Sequence, residues 1–167
     1  MKTLLVLRHA KSSWKHPHLA DHDRPLNKRG KRDAPRMGRL ILERELVPDL
    51  ILTSSAARAR NTALAVAEVC GHASEVRVLR ELYLAEPEDH AGMLTSLPDE
   101  YGSVMVVGHN PGVEELVEAL TGESTALPTA ALALIELSIE RWAGLVLNGK
   151  ARLDRVWLPR ELSEQDS

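Results

Sequence analysis

Two histidines and two arginines hold corresponding places in this 167-residue chain, each just beyond a short apolar run. Leu4 to Leu7 leads into Arg8-His9-Ala10-Lys11-Ser12-Ser13-Trp14. Leu50 to Thr53 leads into Ser54-Ser55, with Arg58 and Arg60 one turn further on, and Ser103 to Val107 leads into Gly108-His109-Asn110. Guanidiniums offer paired donors that match the oxygens of a tetrahedral dianion, and a neutral imidazole is a competent nucleophile towards phosphorus. One histidine accepting a phosphoryl group while the other donates to its oxygens is chemistry that needs positioning and charge stabilisation, which these groups supply without a metal. A lone Arg-His pair after a strand carries little weight; matching residues at three strand ends carry much more. Arg60 should point away from Arg58 and be solvated or ion-paired.

Placing these groups on one rim requires a parallel sheet, and the pattern of short apolar runs between amphipathic segments predicts one: an α/β domain, three layers α/β/α, with a mostly parallel central sheet. Leu4 to Leu7 does not alternate and reads as a strand buried on both faces. Asn27 is placed to cap a helix running to about Leu46, with Pro35 predicting a late start or a kink. After the strand from Leu50 to Thr53, Ser55 is expected to cap the Ala-rich segment Ala56 to Cys70. Val76 to Leu79 is a short strand, and Pro87-Glu88-Asp89 has the make-up of a helix first turn. Ser103 to Val107 is a central strand, followed by a helix from about Val113 to Leu120. Ala131 to Ser138 and Arg152 to Trp157 are later strands, with a tight-turn signal at Asn148-Gly149 and an ambiguous stretch from Glu140 to Leu147. Residues 1–159 read as one domain, and 160–167 as a polar tail that frays.

The formal net charge of −3 argues against a nucleic-acid surface, so any anion site is local. The single cysteine, Cys70, lies in an apolar stretch and is expected to be buried. Met1-Lys2-Thr3 before Leu4 to Leu7 imitates a secretory signal, but the apolar run ends after four residues at Arg8. No run approaches a bilayer span, and the expectation is a soluble, cytoplasmic protein.

Arg8-His9-Ala10 resembles the Arg-His-Gly signature of the histidine phosphatase superfamily, the branch that contains cofactor-dependent phosphoglycerate mutases. Ser54 to Ala63, read as Ser-x-x-x-Arg-Ala-x-x-Thr-Ala, is similar to its second signature and singles out Arg58; Gly108-His109-Asn110-Pro111-Gly112 is similar to its third. Short length and the segment Asp21-His22-Asp23-Arg24-Pro25-Leu26 look most like the SixA-type phosphohistidine phosphatases. The resemblance implies a phosphoglycerate mutase-like fold, no cofactor, and His9 as nucleophile within a phosphate pocket of Arg8, Arg58 and His109. It further implies Ser12, Asp21, Arg24 and Asn110 as phosphate- or substrate-side residues; Glu81 is a candidate for the acid, and where the leaving group is an imidazole His109 and Asp21 are the alternatives for handling the proton. Two positions depart from the pattern: Ala10 stands for the usual glycine, and Lys15 stands where mutase-like relatives carry an asparagine. The implied substrate is a phosphorylated small molecule or a phosphohistidine protein. The competing readings are a phosphomutase and a non-catalytic module that senses phosphate or docks a phosphoprotein.

His16, His18, Asp21 and His22 nearly copy a zinc-hydrolase motif, but the spacing is one residue too long, and a mobile polar loop is the preferred reading. His72 and His90 are expected at the surface. Lys28-Arg29 and Lys31-Arg32 read as a solvated helix face.

Overall fold

The computed structural model describes residues 1–71 and 75–162. Six strands form one sheet: β1 (Lys2–Arg8), β2 (Leu50–Ser54), β3 (Glu75–Leu79), β4 (Ser103–Gly108), β5 (Leu132–Leu137) and β6 (Arg152–Trp157). Their order across the sheet is β3-β2-β4-β1-β5-β6. The first four run parallel, and β5 and β6 add antiparallel to the β1 side. Four helices cover the faces: α1 (Lys28–Glu43), α2 (Ala57–Val69), α3 (Pro87–Thr95) and α4 (Gly112–Thr121).

Alternation along the strands divides the core. Leu4, Val6, Leu52, Val104 and Val106 face a layer built with Val113, Leu116 and Leu120 of α4 and Leu94 of α3. Leu5, Leu7, Ile51, Met105 and Val107 face Met37 and Ile41 of α1 and Ala59, Ala63 and Val66 of α2. The central strands are therefore apolar on both sides, as an unalternating run requires, and the architecture is the expected three-layer α/β/α. Cys70 is buried against the second layer, as expected.

Several local expectations are corrected. The α1 helix starts at Lys28, directly after Asn27, whose side chain accepts from the Gly30 amide at 2.9 Å, and it runs through Pro35 rather than starting late. Ser55 does not cap α2: the cap position is Ala56, and Ser55 Oγ instead meets His22 Nε2 at 2.8 Å. The cap position makes no side-chain cap hydrogen bond, and Ser54 Oγ accepts from the amide of Ala56 itself at 3.2 Å. His90 is not a surface residue; it is 1 % exposed, its Nδ1 3.0 Å from the Glu86 carbonyl oxygen one turn back on α3. The Glu140–Leu147 stretch resolves as a 3-10 turn over Trp142–Gly144. Arg160–Leu162 does not fray: it follows into a 3-10 turn, and the Leu162 carbonyl accepts from Arg36 Nη2 at 3.0 Å. His72 and residues 163–167 lie outside the described residues. Arg29 and Arg32 are largely solvated, though both reach the buried Asp33 carboxylate. No helix among the described residues is long and apolar enough to cross a membrane.

Candidate active site

The three strand ends that carry the chemistry belong to neighbouring strands, β2, β4 and β1. Arg8 pairs in register with Gly108, so His9 and His109 are the next residues out on adjacent strands. Parallel neighbours lie about 4.8 Å apart; the two imidazole centroids are 5.1 Å apart. A contact between residues one hundred positions apart thus follows from strand register alone. The first residues beyond β1 are tied down from two directions: the Ala10 amide donates to Thr62 Oγ1 at 3.0 Å, and Thr62 donates to the Arg58 carbonyl at 2.7 Å. That chain links the loop after β1 to α2, and Ala10, fully buried, fits the place of the usual glycine. Lys11 is fixed from the other side, its carbonyl accepting from the Asn27 amide at 3.0 Å. Gly30 permits this approach, because a Cβ there would overlap the Lys11 carbonyl oxygen.

His9 Nδ1 lies 2.7 Å from the Ala10 carbonyl oxygen. A carbonyl only accepts, so Nδ1 carries the hydrogen and Nε2 holds the free lone pair. Burial, and next the guanidiniums of Arg58, Arg8 and Arg24, push the His9 pKa from 6.5 down to about 4. His109 is pushed to about 3, by burial first and then by His9 and Arg58. Its Nε2 is 2.8 Å from Ser54 Oγ. That oxygen also accepts from the Ala56 amide, so one hydroxyl ties the His109 ring to the start of α2. His109 Nδ1 is buried with no partner, as are Arg8 Nε and Arg58 Nε.

These groups line a cleft of about 250 Å³. Arg8, His9, Ser12, Arg24, Arg58, His109 and Asn110 from the sequence reading all border it, joined by Lys11, Trp14, Leu84 and Thr129. Arg24 donates from Nη1 to Ser12 Oγ at 2.9 Å and from Nε to Asp21 Oδ1 at 3.1 Å. Asp21 sits beside the cleft rather than in its lining and occupies Arg58: Nη1 donates to the Asp21 carbonyl at 2.8 Å and Nη2 to Oδ2 at 3.0 Å. The Tyr83 hydroxyl donates to the same Oδ2. This bond first, with Arg58 and Arg24 helping, holds the Asp21 carboxyl at about 2. Asn110 donates to Glu114 Oε1 and to the Leu127 carbonyl, both at 2.9 Å, and Arg8 Nη1 shares that carbonyl at 3.1 Å.

Glu81 stands apart: it is exposed, in a 3-10 turn over Arg80–Leu82, and does not border the cleft. Arg60 is exposed, away from Arg58. In the loop, His16 and His18 pair edge to face at 6.4 Å, while His22 turns to Ser55 and Tyr83. Among the described residues no three His, Cys, Asp or Glu side chains group as a metal ion requires. Sequence reasoning missed Ser54 and Thr62 as site residues, and it gave Tyr83 no role beyond a place in the loop from Tyr83 to Asp89 expected to choose among substrates. The first two lie inside the second signature and were open to reading as orienting hydroxyls; Tyr83, packed 5.5 Å from the His109 ring, gave no local signal.

The chain is 35 % identical over 150 residues to an uncharacterised chloroplastic protein of Arabidopsis thaliana, covering 84 % of this chain and 69 % of that one. An uncharacterised protein of Mycobacterium leprae is 32 % identical over 167 residues, covering 92 % of this chain and all of the relative. Among solved structures, the SixA phosphohistidine phosphatase candidate from Agrobacterium tumefaciens superposes with a TM-score of 0.81 at 32 % identity, over 95 % of this chain and 98 % of that one. The SixA candidate from Nakamurella multipartitia gives 0.82 at 28 %, over 95 % and 96 %. The family profile of the histidine phosphatase superfamily, branch 1, matches residues 4–126, a span that holds all three signatures and every residue of the cleft except Thr129: the chain belongs to the histidine phosphatase superfamily.

Proposed function

We propose that the protein is a metal-independent phosphatase that works through a phosphohistidine on His9, and that its substrate is a phosphohistidine protein or a small phosphomonoester. The observation that carries this is His9 itself: a buried imidazole, neutral at pH 7, with its proton committed to Ala10 and a free Nε2 in a cleft lined by three guanidiniums.

A phosphoryl group in that cleft has Arg8, Arg24 and Arg58 to neutralise its oxygens, with His109 Nδ1 as a further donor. Nε2 attacks phosphorus in line, the bond to the leaving group breaks, and that group departs with the electron pair. The Nδ1–H bond to Ala10 strengthens as the ring gains positive charge. Water then attacks phosphorus, the P–N bond breaks back onto Nε2, and inorganic phosphate leaves. Asp21 holds the Arg58 guanidinium in place beside the cleft, through its carbonyl and its carboxylate. A carboxyl held at about 2 is ionised at neutral pH and is no proton donor; Glu81 does not border the cleft. An imidazole leaving group removes the need, because the ring nitrogen of a phosphohistidine takes a proton from water before the bond breaks. This favours the phosphohistidine branch over an alkyl phosphomonoester.

The decisive experiment is turnover of phosphohistidine and phosphomonoester substrates by wild type and His9→Ala, with chelator present. Wild type should turn over and acquire an acid-labile, base-stable label at His9; the variant should do neither. Near-normal turnover by His9→Ala would refute the mechanism, and loss of wild-type turnover in chelator would refute metal independence.

A further inference from the structure

We propose that Trp14 and Leu84 form a platform at the mouth of the cleft that selects flat-ring leaving groups, so that imidazole phosphates are preferred over polyol phosphates. The proposal rests on the phosphatase reading above and names the substrate class for it.

Every residue lining the cleft is polar except these two. They are also among the most exposed large apolar side chains, Trp14 at 73 % and Leu84 at 63 %. Each comes from a different loop, Trp14 from the one after β1 and Leu84 from the one before α3. The Arg24 guanidinium carbon lies 3.5 Å from the centre of the Trp14 ring. That guanidinium is itself fixed by Ser12, Ser13 and Asp21. The indole is therefore anchored beside the phosphate donors with most of its surface in water, and a phosphoryl group held by Arg24 and Arg58 puts its leaving group next to that surface.

Leu84 adds a second, independent sign. Its φ is +57°, in the left-handed region that disfavours any side chain. The backbone there is clamped against α4, because Gly112 comes so close to the Ala85 carbonyl that a Cβ on it would overlap the oxygen. Glycine is the residue for such a place, yet a leucine stands there, strained and mostly solvated. Strain and exposure at a ligand mouth mark a residue kept for contact with the ligand. A ring leaving group removes both apolar surfaces from water and stacks on the indole. A polyol there loses water from hydroxyls that neither side chain satisfies.

Two matched pairs separate ring from reactivity: N-phosphoimidazole against phosphoramidate, and phenyl phosphate against glycerol 2-phosphate. In Leu84→Gly and Trp14→Ala the ring member of each pair should lose about tenfold more kcat/KM than its partner, mainly through KM, as loss of an aromatic contact predicts. Leu84→Gly is the cleaner arm, since no guanidinium rests on Leu84, and its Tm should rise as the strained position is relieved. Equal losses within each pair, or no loss, would overturn the platform. Free phosphohistidine and a protein's phosphohistidine should suffer alike; a loss confined to the protein would point to docking beyond the ring and overturn the proposal too. If wild type hydrolyses none of the panel, the phosphatase reading fails, but the platform remains testable in His9→Ala. There, N-phosphoimidazole should bind more tightly than phosphoramidate and change the fluorescence of Trp14, the exposed member of three tryptophans. Equal binding would sink the platform by itself.

Discussion

If His9 is the neutral nucleophile of a cationic cleft, acid should unfold the protein partly through that one buried ring. Its pKa stands at about 4 in the fold, against 6.5 for a free imidazole. Above pH 6.5 neither folded nor unfolded chain protonates the ring, and it contributes nothing to the pH dependence. Between 6.5 and 4 the unfolded chain takes a proton that the folded chain refuses, so stability falls by about 1.4 kcal/mol per pH unit. Below 4 both states are protonated and the loss levels off at about 3 kcal/mol. His109, held at about 3, and His90, lowered mainly by burial, act in the same direction. The perturbation that isolates His9 is therefore His9→Asn, which cannot take the proton. Denaturant unfolding at pH 7.5, 6, 5 and 4 should show wild type losing more stability than the variant on acidification, the gap approaching about 3 kcal/mol at pH 4. NMR of carbon-labelled histidine, assigned by the resonance missing in the variant, should show His9 still neutral at pH 5. Parallel stability curves, together with a His9 resonance titrating near 6.5, would refute the electrostatic account of the nucleophile.

Arg58→Ala removes one preorganised cationic donor and should lower kcat/KM about a hundredfold, near 3 kcal/mol; steady-state kinetics on a phosphohistidine substrate decides it. Glu81→Gln should keep kcat/KM within about twofold, as expected of an exposed side chain outside the cleft. A large loss there would return Glu81 to the mechanism. Gly30→Ala forces a methyl into the Lys11 carbonyl and should cost roughly 1–3 kcal/mol in denaturant unfolding, with a fall in kcat/KM because the loop after His9 shifts.

The fold was legible because its strands follow a simple rule. Runs such as Leu4 to Leu7 and Val104 to Val107 are apolar without alternation, and only a strand covered on both faces accommodates that. Helix boundaries were less legible where a side chain had two possible partners. Ser55 has the right type for a cap, but its hydroxyl is used by His22, a residue 33 positions away that no local pattern announces. His90 misled for a related reason: a histidine next to acidic residues looks solvated, whereas α3 turns that face inward and satisfies Nδ1 from its own backbone. At the site, residues supplied by signatures were read correctly as neighbours. Those contributed from outside them, Tyr83 and Leu84 above all, reach the site only through tertiary contact.

The same distinction explains why the phosphate half of the site is so much plainer in the sequence than the leaving-group half. On the proposed reading, binding the phosphoryl group needs charged and donor side chains near the ends of β1, β2 and β4, and parallel register brings those ends together whatever the loops do. A ring on the far side of the scissile bond meets only loop side chains, and their mutual position depends on how Gly30 and Gly112 let two loops press against two helices. On the proposed reading, specificity is therefore set by close backbone approaches between loops and helices rather than by strand register. A substitution at Gly112, whose approach to the Ala85 carbonyl seats Leu84, should change which substrates are accepted before it changes how phosphorus is attacked.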